Sequence, residues 1–308
     1  MIDHALTQAL QSNPHTLSSA WLYDHRGSEL FEAITALPSY YPTRTEAAIF
    51  KRDLTDMLEP IPPEALVVEL GSGASKKTRA LLHALRRPAG YVPMDISAAF
   101  LHDAVASLAE EFPHLPIIPL VADFTTAFDL PGKLPAHQSR LGFFPGSTIG
   151  NLTAAAAKTL LVHLRDVLGQ NGQLLIGIDL DKSADILIPA YADPEGVTAA
   201  FNRNLITRIN RELGLQLDPM AFAHEARYYS DPARIEMHLV AQTPQTFALA
   251  SGTYHLAAGD SLHTETSHKY TVDGFAALAE ASGWMLNQHW LDDAGYFAVL
   301  RLAAVDSL

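Results

Sequence analysis

The chain has 308 residues, 48% hydrophobic and 18% charged, with no cysteine and a net charge of −13 from 21 basic and 34 acidic side chains. At roughly 150 residues per domain this is one large domain or two ordinary ones, with enough length for a full core. The missing cysteines exclude a disulfide scaffold, a thiolate zinc site, an iron–sulfur cluster and a cysteine nucleophile. Nucleic acid is not an expected partner, because the basic residues cluster only at Lys76-Lys77-Thr78-Arg79 and Arg86-Arg87.

The first twenty residues lack the basic-then-apolar pattern of a signal peptide, and the apolar stretches are too short to span a bilayer. A cytoplasmic, monomeric protein with no membrane partner is the expectation. Ser28 to Ala36 reads as a helix stopped by Leu37-Pro38. Ser39 to Arg44 reads as a turn holding two adjacent tyrosines, and Thr45 as the cap of a helix over 46–58 with Glu46 in its first turn. Glu59-Pro60-Ile61-Pro62-Pro63 breaks that helix.

From residue 64 short apolar runs alternate with helical patterns. The predicted strands are 65–70, 90–95, 117–123, 140–144 and 173–179, and the predicted helices are 75–85, 97–111 and 154–168. This alternation implies βαβ units and a parallel sheet buried on both faces. Ligands of such sheets bind at the carboxyl ends of the strands. Those ends read Glu69-Leu70-Gly71, Met94-Asp95, Ala122-Asp123-Phe124, Gly146-Ser147 and Asp179. After residue 182 come helices at 185–191 and 194–214, then strand-like alternation at 226–230, 234–243 and 246–250, then a loop over Ala257 to Ser267. A helix at 272–282 and two strands at 285–291 and 296–303, joined by a hairpin-like turn, close the chain. The reading is an α/β domain interrupted by an insert on which the N-terminal segment packs.

The glycine loop is Glu69-Leu70-Gly71-Ser72-Gly73-Ala74-Ser75-Lys76-Lys77-Thr78. A phosphate-binding P-loop needs glycine directly before the Lys-Thr pair, and a dinucleotide fold needs a third glycine three residues after the second; Lys76 stands at both positions. S-adenosylmethionine has no pyrophosphate to cradle and asks only for close backbone approach. Asp95 follows at about the 20-residue spacing of a ribose-binding carboxylate. Asp123-Phe124 then offers an acceptor and an aromatic face for adenine.

With those residues in view the chain resembles the histidine-specific, S-adenosylmethionine-dependent methyltransferase family of ergothioneine biosynthesis. The resemblance runs from about residue 18 to the end. It rests on Leu37-Pro-Ser-Tyr-Tyr-Pro-Thr-Arg-Thr-Glu46, Glu69-Leu-Gly-Ser-Gly73, Gly146-Ser-Thr-Ile-Gly-Asn-Leu152, Gly196-Val-Thr-Ala-Ala-Phe-Asn-Arg-Asn204, Arg234-Ile-Glu-Met237 and Thr264-Glu-Thr-Ser267. It implies an α/β fold: a Rossmann-like methyltransferase core with a mostly parallel sheet and a C-terminal antiparallel hairpin, at 45–181 and 269–308. A second, α+β domain at 1–44 and 182–268 would bind the amino acid. Implied cofactor residues are Gly71, Ser72, Gly73, Lys77, Asp95, Asp123 and Phe124. Implied substrate residues are Tyr40, Gly146, Asn151, Tyr191, Met237, Glu265 and Ser267, with Tyr23 and Tyr40 as catalytic residues. The implied reaction is transfer of three methyl groups to the α-amine of L-histidine.

Residue chemistry agrees with this. Glu265 and Ser267 are two apart in an extended-looking segment, so their side chains face one way. A carboxylate and a hydroxyl can bind both nitrogens of an imidazole, although the same pair also suits a solvated loop. Asn151, Tyr191, Tyr23 and Tyr40 offer an amide and phenols to the carboxylate and amine, and Tyr40 a ring for a methylated cation. Displacement at a sulfonium methyl needs alignment and exclusion of water rather than a strong base. No metal is expected, since His263 and His268 lack a third ligand at suitable spacing. Asn151-Leu152-Thr153 matches a glycosylation signal that a chain without a secretory segment does not use.

Overall fold

The computed structural model describes residues 2–12, 14–73 and 76–305; Ala74 and Ser75 of the glycine loop lie outside the described residues. The chain divides into two compact units, one formed by residues up to Tyr41 with Lys182–Ser267, the other by Pro42–Asp181 with residues from His268 on.

The second of these is built on a seven-stranded sheet. Its strands are β1 (Ala65–Leu70), β2 (Gly90–Asp95), β3 (Leu120–Val121), β4 (Ser139–Phe144), β5 (Gln173–Asp179), β6 (Trp284–Leu291) and β7 (Phe297–Ala304). The spatial order is β6-β7-β5-β4-β1-β2-β3. The pairs from β5 through β3 are parallel, and β7 and β6 are antiparallel additions. All six residues of β1 are buried because helices cover both faces. Leu66, Val68 and Leu70 belong to one core cluster with Leu160 and Leu164, while Ala65 and Val67 belong to a second with Ile49 and Leu81. Strand order reverses between β1 and β4, so the segments after these two neighbours open at the topological switch point.

Two expectations here need correction. The third strand shrinks from 117–123 to Leu120–Val121, with Ile117 reduced to an isolated bridge to Tyr91. Pro119 has no N–H to give the ladder, which an edge strand tolerates and a longer strand does not. The helix expected from 46 begins at Tyr41 and runs to Leu58. Pro42 falls in its first turn, where no intrahelical N–H is required and the fixed φ suits a helix. Glu46 therefore lies beyond the first turn, fully buried, rather than at the helix start.

The other unit pairs helices His25–Thr35, Ala184–Tyr191 and Val197–Leu213 with a four-stranded sheet ordered His15–Thr16, Ser261–His268, Ala233–Ala241, Phe222–Ser230. Asp24 caps the first helix by accepting from the Gly27 N–H at 2.8 Å. It also accepts from Asn204 and Arg211 of the third helix, each at 2.8 Å, which ties the N-terminal segment to the insert. The expected loop over 257–267 is largely the strand Ser261–His268. Its polar residues and the preceding Gly259-Asp260 mimic a loop, and its burial is out of step with simple alternation. Leu262 and Thr264 are buried, then Glu265 and Ser267, so the two-residue period slips once between Thr264 and Glu265, as in a bulge. Among the described residues no helix is long and apolar enough to cross a membrane.

Candidate functional site

Candidate residues gather in each unit separately. In the seven-stranded unit, β1 runs into Gly71 at φ +64°, a conformation open to glycine. A side chain there would face Phe124, whose Cε1 lies 3.7 Å from the Cβ position. The Gly73 N–H donates to Asp95 Oδ2 at 3.1 Å and the Ser97 N–H to Oδ1 at 2.9 Å. Burial nevertheless holds the Asp95 carboxyl above its ordinary range. The carboxylate also accepts from the Ile96 N–H and still keeps lone pairs for a diol. The Ser72 hydroxyl is buried with no hydrogen-bond partner in the described residues. A buried polar atom of that kind is costly unless a ligand or water meets it. Asp123 Oδ1 accepts from Thr125 N and Oγ1 at 2.8 and 2.6 Å, and Phe124 packs edge-on to Phe144 with centroids 5.3 Å apart. The structure thus brings Gly71, Ser72, Gly73, Asp95, Asp123 and Phe124 to neighbouring strand ends.

Lys77 is held by a residue that reading the sequence did not place in the site. Glu46, fully buried, pairs with the Lys77 ammonium and accepts from the Gly146 N–H at 2.9 and 3.1 Å. One carboxylate so joins the loop after β1 to the loop after β4. Glu46 closes the first quoted motif, but nothing local signals that helix 41–58 turns it inward. Gly146 spends its N–H there, and half-buried Asn151 ends the short helix Thr148–Asn151. Glu69 is a second missed residue. It is buried among donors, with Tyr91 OH and Thr78 Oγ1 both bonding to its carboxylate, the latter at 2.7 Å. Burial pushes its carboxyl up to about 7. Asp179, at the end of β5, gives its carboxylate to buried Lys269 at 2.7 Å.

In the other unit, Tyr23, Tyr40, Tyr191, Glu265 and Ser267 form one cluster. Tyr23 OH donates to Glu265 Oε2 at 3.2 Å, and Tyr191 OH donates to Ser267 Oγ at 2.9 Å. Tyr40 and Tyr191 meet edge to face with centroids 6.2 Å apart. Removal from water, then the Glu265 charge, raise the Tyr23 phenol well above its usual value. Tyr23 is therefore a protonated donor at neutral pH and not a base. Met237 is buried on the neighbouring strand, its carbonyl accepting from Thr264 Oγ1 at 3.0 Å.

Four supporting residues were not foreseen. Phe31 and Phe201 pack against the Tyr23 ring at 5.5 and 5.3 Å. His224 Nε2 lies 2.7 Å from the Tyr191 carbonyl and its Nδ1 2.9 Å from Asn202, which fixes the end of helix Ala184–Tyr191. Phe201 and Asn202 stand inside a quoted motif; Phe31 and His224 carry no local signal. Asn202 Oδ1 is a further buried atom without a hydrogen-bond partner in the described residues.

The family model described as histidine-specific methyltransferase, SAM-dependent, matches residues 2–304. The chain is 41% identical over 295 residues to Histidine N-alpha-methyltransferase of Mycolicibacterium smegmatis, covering 94% of this chain and 91% of that one. It is 41% identical over 300 residues to the protein of the same name from Mycobacterium tuberculosis, covering 96% and 92%. Ergothioneine biosynthesis protein 1 of Neurospora crassa is 32% identical over 208 residues, 66% of this chain and 24% of that protein. The matches span both units, and the seven-stranded sheet has the Rossmann-like form of such enzymes. The chain belongs to the histidine-specific, S-adenosylmethionine-dependent methyltransferase family and is an N-methyltransferase.

Proposed function

We propose that this enzyme transfers three methyl groups from S-adenosylmethionine to the α-amine of L-histidine, giving the betaine hercynine, a step of ergothioneine biosynthesis. In this reading the seven-stranded unit carries the cofactor and the other unit holds the amino acid.

The observation that carries the choice of amino acid is the buried pair Glu265 and Ser267, 8% and 4% exposed. An imidazole has one N–H to give and one nitrogen to accept; a carboxylate accepts and a hydroxyl does either. Tyr23 and Tyr191 hold those two groups from behind. Tryptophan offers a single ring N–H and tyrosine a single hydroxyl, so neither presents two ring nitrogens to Glu265 and Ser267 together as histidine does. Met237 packs beside the ring. Asn151 and Tyr191 serve the substrate's carboxylate and amine. Gly146, with its N–H on Glu46, contributes through its Cα or carbonyl.

Bound S-adenosylmethionine supplies the electrophilic methyl. Toward it Gly71 and Gly73 offer bare backbone, Ser72 its unpartnered hydroxyl and Lys77 an ammonium for the carboxylate. Asp95 accepts from the ribose, and Asp123 with Phe124 takes the adenine. The amine sheds its protons to water between transfers. Tyr23 orders Glu265, and Tyr40 lines the space into which a fixed cation grows.

The test is incubation with S-adenosylmethionine and each amino acid in turn, following substrate mass. Successive gains of one, two and three methyls on histidine alone are expected. Equal gains on tryptophan or tyrosine, or arrest after one methyl, would overturn the reading.

A further inference from the structure

On the four-stranded sheet, residues 236 and 238 alternate against buried Ile235, Met237 and Leu239, so they share the face opposite those residues. His263 of strand Ser261–His268 joins them there. Glu236, His238 and His263 each offer a ligand atom, and these atoms lie within 4.8 Å of one another. The sequence pairing of His263 with His268 is not the one the fold assembles.

We infer that Glu236, His238 and His263 form a binding site for a divalent first-row transition metal of the zinc type. A carboxylate and two imidazoles are three of the four ligands of open zinc sites, with water completing the set. Tetrahedral zinc holds its ligand atoms about 3.3 Å apart, so closure from 4.8 Å takes only side-chain rotation. The two rings stack at 5.0 Å and 27°, and a turn of one ring converges their lone pairs.

The surrounding partners are those a metal site requires. Metal-bound histidines pass their other N–H to an oxygen acceptor, and bound carboxylates are themselves hydrogen-bonded. His238 Nδ1 lies 2.8 Å from Ser261 Oγ, leaving Nε2 beside Glu236 Oε2 at 3.0 Å. Glu236 Oε1 accepts from Arg234 Nε at 2.7 Å. His263 Nε2 lies 3.0 Å from the Glu265 carbonyl and 2.9 Å from Thr266 Oγ1, which places the proton there, and Nδ1 faces Thr16 Oγ1 at 3.3 Å, a contact that a metal would displace. Such an ion would clamp two strands directly behind Met237 and Glu265.

This inference does not rest on the methyl-transfer reading. Its test uses the full chain stripped of metal by a chelator and titrated with zinc against a chromophoric competitor. One equivalent should bind at micromolar strength or tighter and raise the melting temperature, while magnesium does neither. Glu236→Gln and His263→Gln should each weaken zinc by about ten-fold or more. X-ray absorption of the zinc-loaded wild-type protein should count two imidazoles, whether or not the variants fold. No tight equivalent, a tight equivalent surviving in both variants, an equal response to magnesium, or a zinc shell without imidazole would each overturn the assignment.

Discussion

Gly177 of β5 stands where a side chain would run into the carboxylate of Glu46. The absence of a Cβ there lets Glu46 lie flat against the sheet and reach Lys77 and the Gly146 N–H. Gly177→Ala should cost about 1–3 kcal/mol, the usual penalty for overfilling a packed site. It should also disturb cofactor affinity through Lys77. Urea denaturation checks the first effect and calorimetric titration with S-adenosylmethionine the second; a variant as stable as the wild type would mean the carboxylate has room to move.

Ser72→Ala separates ligand binding from folding. The hydroxyl makes no bond within the described chain, so its removal should leave stability unchanged or slightly raised. If it meets the cofactor, affinity should fall by about five- to ten-fold, one ordinary hydrogen bond. Melting temperature and calorimetry on the same sample read both effects.

Glu265→Ala should reduce kcat/KM for histidine by about ten- to a hundred-fold, the worth of leaving an imidazole N–H unpaired in a buried site. The loss should lie mainly in KM, and binding of S-adenosylmethionine alone should not change. Steady-state kinetics and calorimetry distinguish this from general damage.

Tyr40→Phe should keep cofactor binding and alter the spread of mono-, di- and trimethylated products. Tyr40 meets Tyr191 and Phe31 edge to face, so the ring stays anchored while the hydroxyl is lost. Time-resolved mass spectrometry follows the three products; an unchanged profile removes Tyr40 from the path of the methyl groups.

Stability should fall with rising pH across the titration of Glu69. Its carboxyl sits at about 7 when folded, above the ordinary 4.5, because burial outweighs the bonds from Tyr91 and Thr78. Between those values the folded chain holds a proton that the unfolded chain has lost. The favourable contribution is thus full below about pH 4.5 and gone above about pH 7, on the order of 3 kcal/mol in all. Glu69→Gln should flatten that slope, measured by urea denaturation at several pH values between 5 and 8.

The buried strands were legible because continuous apolar runs bounded by turns have few alternatives. Gln173–Asp179 emerges with its predicted ends. Proline misled twice in opposite directions, as a breaker at Pro42 where the helix accepts it and as a strand member at Pro119 where the ladder does not. The candidate residues of the glycine loop are picked out by spacing, and Glu265 with Ser267 by resemblance and shared parity; their gathering into clusters is what the fold adds. What stayed hidden were couplings between distant segments. No local pattern tells Glu46 that Gly177 leaves it room, or gathers Glu236, His238 and His263 on one face.

If Glu265 and Ser267 read the imidazole as proposed, the slip between Thr264 and Glu265 makes strand phase part of that reading. Deleting Thr264 would restore plain alternation and leave the carboxylate and hydroxyl on the face of Leu262. A chain with identical side chains but no slip would instead turn Glu265 and Ser267 away from Tyr23 and Tyr191.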